Sequence, residues 1–436
     1  MNFKINKTIN IITVFLMFAF LLVNISYSQK MPSKLKLANG AVILVKEDYK
    51  MDIVSINILF KAGLKQEEAD TSGATNIVKS LLFKNSGILD QLEYLGAAYT
   101  VETNPDFFQI KCFTSRENFS KCLDLIYEGL TKPEFAPKDL EEVKARVLEA
   151  LKDPYGSFAT IYDYFLQNFY QNHPYKLIQL GTSTAVKNID PVILNSFYER
   201  YFSPNNMVVS VCGNINKSTA LKELGDKFSQ MQPQKLGPTK IDWEPPSKEN
   251  KIYLGLKSSL AWVLIGYPAP SFKSQDYPVM LLIKNYLSEG MSSKLWTEIR
   301  EKEGLAYELG GIYPQLEGPS HLAIYVITEP NGSWISKRKM LNEVELLKKV
   351  PLDYGELNEV KEKTLNKLLL EHEMVASQAE DIALAELLEL DYSFYERLRN
   401  RVIEITPDDI KRVANQYLVN PTIITAKPAM SIQDFF

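Results

Sequence analysis

The chain has 436 residues, of which 49 are basic and 53 acidic, giving a formal net charge of −4. This near balance gives no electrostatic basis for binding nucleic acid or an anionic membrane surface. Hydrophobic residues make up 45% of the chain and aromatic residues 11%, which is typical of a folded globular protein and excludes a disordered one. The length exceeds one ordinary core and fits two domains.

The first residues have the pattern of a secretory signal. Lys4 and Lys7 precede an apolar run over residues 11–23, and small residues close it around Ser28. An uncleaved anchor is the alternative, but the run is short of the roughly 20 residues that cross a bilayer. We therefore predict a signal peptide over residues 1–28 and an exported protein in the periplasm or another extracytoplasmic compartment.

The first half alternates strand-like and helix-like segments. A hairpin is predicted around Asn39-Gly40, between two strand-like runs. Strands are then predicted over residues 54–60, 107–114 and 207–212, and helices over 75–83, 117–130 and 137–151. The three cysteines, Cys112, Cys122 and Cys212, cannot all pair with one another, and buried thiols are expected rather than a disulfide framework or a metal site.

The second half repeats the pattern of the first. LEEVK at 140–144 corresponds to LNEVK at 357–361, an offset of 217 residues. IDP at 189–191 corresponds to ITP at 405–407, an offset of 216. Two blocks at nearly one offset indicate a duplicated domain.

The predicted fold is therefore α+β, with two homologous domains that are each a largely antiparallel sheet with helices packed on one face. The N-terminal domain spans residues 29–229 and the C-terminal domain residues 250–436. Residues 230–249 carry four prolines among polar residues and are predicted to be the linker. Each half is expected to bury its own core, which makes the groove between them the default site.

The stretch LWTEIREKEGLAY, residues 295–307, is the main candidate for chemistry. Leu295, Trp296 and Ile299 are spaced as on the buried face of a helix, and Gly304 predicts its end. A short strand is expected to follow and to end in a turn at the Gly-Gly pair, residues 310–311.

This corner places Arg300 and Tyr307 where both can approach one point. Arginine supplies a permanent charge and tyrosine a neutral hydroxyl donor, a combination suited to a peptide carbonyl whose oxygen becomes negative during hydrolysis. The alternative interpretation is an ordinary surface arginine beside a half-buried tyrosine.

The mature chain resembles the insulinase/pitrilysin family of zinc peptidases, in the short two-domain form that includes the mitochondrial processing peptidase. The stretches that carry the resemblance are LANGAVILV, FKAG, GATNIVKSLLFKNS, LGAAYT, SSKLWTEIREKEGLAY and the two repeated blocks. The resemblance implies an H-x-x-E-H zinc motif on a helix, completed by a glutamate on a later helix.

The zinc motif is degenerate here. Asn76 and Ser80 stand where the family has its two histidines, and Lys79 stands where it has the catalytic glutamate. Glu149 matches the distal glutamate, but an ammonium group repels Zn²⁺, and asparagine and serine are poor zinc ligands. We therefore expect no metal and no cofactor in this chain.

The three histidines do not replace the motif. His173, His321 and His372 are widely separated, and none has a second histidine at helical spacing. His372 lies in a Glu-His-Glu triplet that is interpreted as a solvated helix face.

The second half matches the family where the first departs from it. The family's arginine and tyrosine, seven residues apart, face the zinc across a chamber and hold the substrate carbonyl; Arg300 and Tyr307 have that separation. Some bacterial members divide the two motifs between two chains. The resemblance thus implies a zinc-free subunit that is no peptidase alone, paired with a homologous subunit that holds Zn²⁺ and acting on peptide or unfolded polypeptide.

The resemblance also suggests a weaker substrate contact at Ala98 and Tyr99, on a predicted sheet edge. Two alternatives stay open. One is a catalytically inert peptide-binding or scaffold protein of the same fold. The other is a hydrolase with an unrelated site, for which Ser292-Ser293 would be the nucleophile, although no histidine is near in sequence and no G-x-S-x-G motif is present.

Overall fold

The structure is a computed structural model that describes residues 31–84, 87–152, 158–236 and 243–429. The predicted signal peptide and the middle of the predicted linker, residues 237–242, lie outside these ranges. Among the described helices, none has the length and apolar character needed to cross a membrane.

The first half contains six strands and eight α-helices in its described residues. The strands are β1 Ser33–Lys36, β2 Val42–Glu47, β3 Ile53–Phe60, β4 Ala98–Thr103, β5 Phe108–Ser115 and β6 Met207–Gly213. The helices are α1 Ala74–Leu81, α2 Ile88–Tyr94, α3 Phe119–Thr131, α4 Pro137–Ala150, α5 Phe158–Tyr170, α6 Ser183–Asn188, α7 Pro191–Tyr201 and α8 Lys217–Phe228.

The second half contains five strands and six α-helices in its described residues, with a π-helical turn at Trp296–Glu301. The strands are β7 Asn250–Leu256, β8 Ala261–Ala269, β9 Ala306–Ile312, β10 Ser320–Thr328 and β11 Thr422–Pro428. The helices are α9 Tyr277–Ser288, α10 Ser333–Lys349, α11 Tyr354–Glu373, α12 Val375–Leu387, α13 Phe394–Glu404 and α14 Pro407–Tyr417.

The two sheets have matching strand orders. The first runs β1-β2-β6-β3-β5-β4 and the second β7-β11-β8-β10-β9, so that they correspond strand for strand once β1 is set aside. In each sheet a single pair is parallel, β2 with β6 and β7 with β11, and the other pairs are antiparallel. The predicted α+β class with a duplicated, largely antiparallel architecture is confirmed.

The two halves exchange a helix, a feature that the sequence does not predict. α12 of the second half packs on β3 and β6 of the first sheet, where the Ser210 hydroxyl donates to the Ala379 carbonyl at 2.5 Å. α5 of the first half packs on β8 and β11 of the second sheet. There Gly266 leaves room for the ring of Phe165, since a β-carbon at that position would collide with it.

The exchanged helices are equivalent elements of the repeat. Phe158 and Val375, at which they begin, differ by 217 positions, as do Tyr170 and Leu387, at which they end. The expectation that each half buries its own core is correct only in part: residues 41–228 form a core of their own, but one face of each sheet is covered by a helix of the other half.

A buried polar cluster also joins the halves. Asp106, which is 2% exposed, accepts hydrogen bonds from Lys65 Nζ at 3.0 Å and from the Tyr175 hydroxyl at 2.5 Å. Its second carboxylate oxygen accepts the Glu317 N–H at 2.8 Å, and the Glu317 carboxylate pairs with Lys65 at 2.6 Å. This cluster fixes the β9–β10 connection of the second half against the first.

The groove expected between the halves is largely filled by this packing. A cavity of about 590 Å³ is left at the boundary, between Lys61 and Tyr201 of the first half and Glu389 of the second. A cavity of about 340 Å³ lies within the second half. Neither cavity is lined by Arg300 or Tyr307, so the groove is not where these candidate residues lie.

Candidate active site

The corner between residues 295 and 307 has a π-helical turn at its centre. Leu295 and Ile299 are fully buried and anchor the turn on the core. The Lys302 N–H bonds to the Thr297 carbonyl at 3.1 Å, one residue further back than in an α-helix. Gly304 then takes a left-handed conformation with φ +65°, which ends the turn as predicted.

Comparison with the corresponding corner of the first half shows that the π turn accommodates one additional residue. The sequence Gly96-Ala97-Ala98-Tyr99 matches Gly304-Leu305-Ala306-Tyr307, and Gly96 has φ +68°. The last buried residue before the glycine is Leu92 in the first half, four positions back, and Ile299 in the second, five positions back. The second half therefore contains one extra residue, which the π turn accommodates; such bulges are frequent at functional sites.

Tyr307 itself lies in a second irregularity. In the pairing of β9 with β10, Glu308 faces Ile327 and Ala306 faces Thr328, so that Tyr307 is the extra residue of a β-bulge. Bulges re-aim a side chain out of the regular alternation of a strand. The tyrosine side chain is 56% exposed as a result of its position at this edge.

The guanidinium group of Arg300 is exposed and held from two sides. It lies 4.5 Å from the centre of the Trp296 ring, and its Nη1 donates to the Tyr307 backbone carbonyl at 2.6 Å. In the described part of the chain no ion pair joins Arg300 to a carboxylate. Its charge therefore stays available to a ligand.

The Tyr307 hydroxyl donates to Glu329 Oε1 at 3.0 Å. This hydrogen bond to a carboxylate raises the pKa of Tyr307, which keeps the phenol neutral and able to donate. The structure thus brings Arg300 and Tyr307 together at one corner, but the two functional groups contact different partners. Their joint approach to a substrate carbonyl stays a prediction.

The Gly-Gly pair after Tyr307 does not form the predicted turn. Gly310 and Gly311 lie inside β9, which continues to Ile312. A side chain at either position would collide, with Tyr325 or with Ser288, so the glycines are needed for close packing rather than for a turn.

The positions of the degenerate zinc motif lie on α1. Asn76 and Lys79 are half-buried and Ser80 is exposed, with its hydroxyl donating to the Asn76 carbonyl at 3.0 Å. α1 packs against α4, which carries Glu149. That carboxylate is exposed and pairs with Lys152 at 2.5 Å.

These groups do not fit a zinc ion. A hydroxyl that donates to its own helix, an amide and an ammonium group offer Zn²⁺ no strong ligand, and Glu149 alone is insufficient. Across the four described ranges no cluster of three or more His, Cys, Asp or Glu side chains could hold a metal.

Glu67 supports α1 and was not predicted. It is 6% exposed, and its carboxylate accepts the N–H groups of Gly73 at 2.8 Å and Thr75 at 2.9 Å, at the start of the helix. Burial raises its pKa to about 7. Nothing in the sequence distinguishes it from the neighbouring Glu68, which is exposed.

The strand that carries the predicted substrate contact, β4, lies at the edge of the first sheet. β4 is the outermost strand of its sheet and pairs with β5 alone among the described strands. Ala98 is exposed and Tyr99 half-buried on it. Its free N–H and C=O groups are able to pair with an extended peptide, although contact of these two residues with substrate stays a prediction.

The three histidines have separate environments. His321 is buried between the hydroxyls of Tyr162 at 2.6 Å and Tyr170 at 2.7 Å, and burial lowers its pKa to about 3. His173 is buried, and its pKa is lowered to about 4 by the same cause.

The interpretation of the Glu-His-Glu triplet as a solvated helix face holds for Glu371 and Glu373, which are exposed, but not for His372, which is half-buried. Its Nδ1 lies 2.5 Å from Asp381 Oδ2, and its ring lies 4.1 Å from that of Tyr395, at the edge of the 340 Å³ cavity. The reason is that α11 ends one residue later and α12 folds back against it. This return is not visible in the local sequence.

The remaining sequence candidates are structural. All three cysteines are buried and free, as predicted. Ser293 is buried, and its carbonyl accepts the Thr297 N–H at 3.0 Å, so that it packs the start of the corner. Ser292 accepts a hydrogen bond from Lys363, and within the described residues it forms no hydrogen bond with a histidine.

Two models of one protein family match this chain. The model described as insulinase (peptidase family M16) matches residues 42–183, and the model described as peptidase M16 inactive domain matches residues 188–364. Together they cover most of the chain in the order of its two halves. The chain belongs to peptidase family M16, which confirms the resemblance to the insulinase/pitrilysin peptidases.

Individual relatives match along almost the full length. A zinc protease, PqqE, from Helicobacter pylori is 25% identical over 411 residues, which cover 90% of this chain and 92% of the relative. An uncharacterized zinc protease, YmxG, from Bacillus subtilis is 21% identical over 385 residues, covering 87% and 93%.

Solved structures agree in fold. A protease from Helicobacter pylori superimposes with a TM-score of 0.85 at 21% identity, covering 91% of this chain and 99% of that chain. A peptidase M16 inactive domain from Pseudomonas fluorescens gives a TM-score of 0.81 at 19% identity, covering 92% and 98%. The two-domain M16 fold is therefore shared.

Proposed function

We propose that this chain is the zinc-free subunit of a heterodimeric metallopeptidase that is exported from the cytoplasm. Its partner is a homologous chain with an intact H-x-x-E-H motif, and the substrate is a peptide or unfolded polypeptide. The main support is one contrast: the family's arginine and tyrosine stand exposed at the 300–307 corner, whereas positions 76, 79 and 80 carry no metal donor.

In this role the chain binds the substrate carbonyl rather than activating water. Arg300 places a fixed positive charge, and Tyr307 a neutral hydroxyl donor, beside the oxygen that becomes negative. The π turn and the β-bulge orient the two side chains, and the buried Leu295 and Ile299 hold the corner on the core. An exposed corner needs a second protein surface to exclude water, which the partner supplies.

The test is reconstitution with a homologue of the same organism that carries H-x-x-E-H. The mixture should cleave an unfolded peptide, while this chain alone should not. Arg300→Ala and Tyr307→Phe should each lower kcat by on the order of 10²-fold, with heterodimer formation by size-exclusion chromatography unchanged. Tyr325→Phe, on the neighbouring strand, is the control and should retain activity.

Two results contradict the proposal. One is full activity of both the Arg300→Ala and the Tyr307→Phe heterodimers. The other is one tightly bound Zn²⁺ per chain in the purified subunit, measured by metal analysis after dialysis.

An inert peptide-binding protein of the same fold is the second candidate. The hydrogen bond from Tyr307 to Glu329 favours it, because a hydroxyl already bound to a carboxylate is not donating to substrate. In that case the chain should bind unfolded peptide in titration calorimetry, and the Arg300 and Tyr307 variants should not alter turnover by any partner.

A further inference from the structure

The Tyr307 hydroxyl has a single proton, for which Glu329 and a substrate carbonyl would compete at the proposed site. A hydroxyl donates one hydrogen bond at a time, and in this chain that bond goes to Glu329 Oε1. A substrate carbonyl oxygen needs the same proton. One acceptor must therefore leave before the other binds.

The backbone around Glu329 keeps its carboxylate next to the Tyr307 hydroxyl. It follows β10 directly, and Thr328 at the end of β10 faces Ala306 in the register of β9. The next turn is closed by the Ser333 hydroxyl, which donates to the Pro330 carbonyl at 2.8 Å. The carboxylate is exposed and is therefore free to return to water when it releases the phenol.

We propose that Glu329 is a positioning residue that holds the Tyr307 hydroxyl in the unliganded chain and yields it to the carbonyl oxygen of a bound peptide. The inference rests on the proposed function and adds a description of the site before substrate binds. The carboxylate fixes the Tyr307 ring before substrate arrives, and the peptide has to displace a charge-assisted hydrogen bond.

The same sheet contains a second tyrosine–glutamate pair, Tyr325 and Glu308, which serves as a control because it is not part of the proposed site. The Tyr325 hydroxyl donates to Glu308 Oε1 at 2.9 Å, one strand away. The Tyr325 ring lies 4.2 Å from Phe158, and burial is the main cause that raises the pKa of Tyr325 to about 12. This tyrosine is fixed by packing, whereas Tyr307 is 56% exposed.

The first test uses this chain alone, labelled with 3-fluorotyrosine, with the Tyr307 resonance assigned from the Tyr307→Phe spectrum. Glu329→Gln should lower the pKa of Tyr307 towards that of a solvent-exposed 3-fluorotyrosine without a carboxylate partner. Glu308→Gln should shift Tyr325 and leave Tyr307 unchanged. An unaltered Tyr307 titration in Glu329→Gln would show that the bond is absent in solution and overturn the inference.

The second test uses the reconstituted heterodimer with an unfolded peptide substrate. Because an amide oxygen accepts more weakly than a carboxylate, Glu329→Gln should lower KM by threefold or more without lowering kcat. In the Tyr307→Phe background the same substitution should have no effect on KM.

The outcomes separate the two hypotheses. A Glu329→Gln effect of equal size in both backgrounds, or a loss of kcat, rejects the role of Glu329 while leaving the proposed function intact. A silent Tyr307→Phe variant rejects the proposed function itself, and the fluorine titration then still reports whether Glu329 holds the hydroxyl.

Discussion

Three side chains of α1 are predicted to separate this chain from the metal-binding members of its family. Asn76 and Ser80 are one helical turn apart on a regular helix, and α1 already packs against the helix that carries Glu149. If these positions are those of the zinc motif, the helical frame is present and only the donors differ. Metal binding should therefore depend on side-chain identity at these positions.

We predict that the triple variant Asn76→His, Lys79→Glu, Ser80→His binds one Zn²⁺ per chain. Two imidazoles at i and i+4 supply one face of a tetrahedral site and Glu149 a third ligand. Adding Glu149→Ala should weaken zinc binding by tenfold or more in a chelator competition assay. The native chain is the control; equal zinc affinity in native and triple variant would contradict the prediction.

At the scale of elements, the exchanged helix α5 is tied to the second sheet through His321. Tyr170 donates to the Pro319 carbonyl at 3.1 Å, so its oxygen accepts from His321 Nδ1–H. Nε2 of the neutral ring then accepts the Tyr162 hydroxyl. The network is satisfied only with an uncharged imidazole, in agreement with the pKa lowered to about 3 by burial.

Acid should therefore weaken the fold through His321. In the unfolded chain a histidine binds a proton below its ordinary pKa near 6.5, whereas in the folded chain His321 stays neutral down to about pH 3. The stability this group contributes is present above pH 6.5 and falls as the pH falls below it, by about 2 kcal/mol at pH 5.

The measurement is the free energy of urea unfolding between pH 7 and 5 for the native chain and for His321→Gln. Asp163 on the same helix has a pKa raised to about 6 by burial, which acts in the opposite direction, so the difference between the two proteins is the informative quantity. The native chain should lose about 2 kcal/mol more than the variant over this range. Parallel pH profiles would contradict the assignment.

The accuracy with which the sequence predicts the structure differs from element to element. The apolar spacing of Leu295 and Ile299 and the glycine at 304 predict the end of the corner correctly, because they report local periodicity and a left-handed residue. The π turn was not predicted, since one additional residue between two anchors leaves the same local pattern.

Long-range contacts were predicted least well. Repeated blocks at one offset correctly indicate two similar sheets, but an apolar helix face does not specify which sheet it covers. For that reason the exchange of α5 and α12 was missed. Glu67 and His372 were missed for a different reason: their partners Gly73 and Asp381 are near in sequence, but no periodic pattern marks the bend of the chain that brings each pair together.

At the scale of the whole molecule, the helix exchange makes each half incomplete. Without the second half, the face of the first sheet that carries Leu44, Leu59 and Val208 loses α12. Without the first half, the face of the second sheet that carries Leu264 and Ile424 loses α5. Each half alone would expose a large apolar face, which marks an aggregation-prone surface.

We predict that residues 31–236 and 243–429, expressed separately, do not fold, and that the two fragments expressed together form a stable complex. The reason is reciprocal: each fragment carries the helix that covers the sheet of the other. Near-ultraviolet circular dichroism and size-exclusion chromatography should show native packing and the mass of the intact chain only for the pair. The Phe165→Asp substitution, at the contact with Gly266, should abolish assembly of the two fragments. The control substitution Lys222→Asp, on the exposed side of α8, should leave assembly unchanged. Two separately folded, monomeric fragments would show that the halves are independent domains and that the exchanged helices are not required for either core.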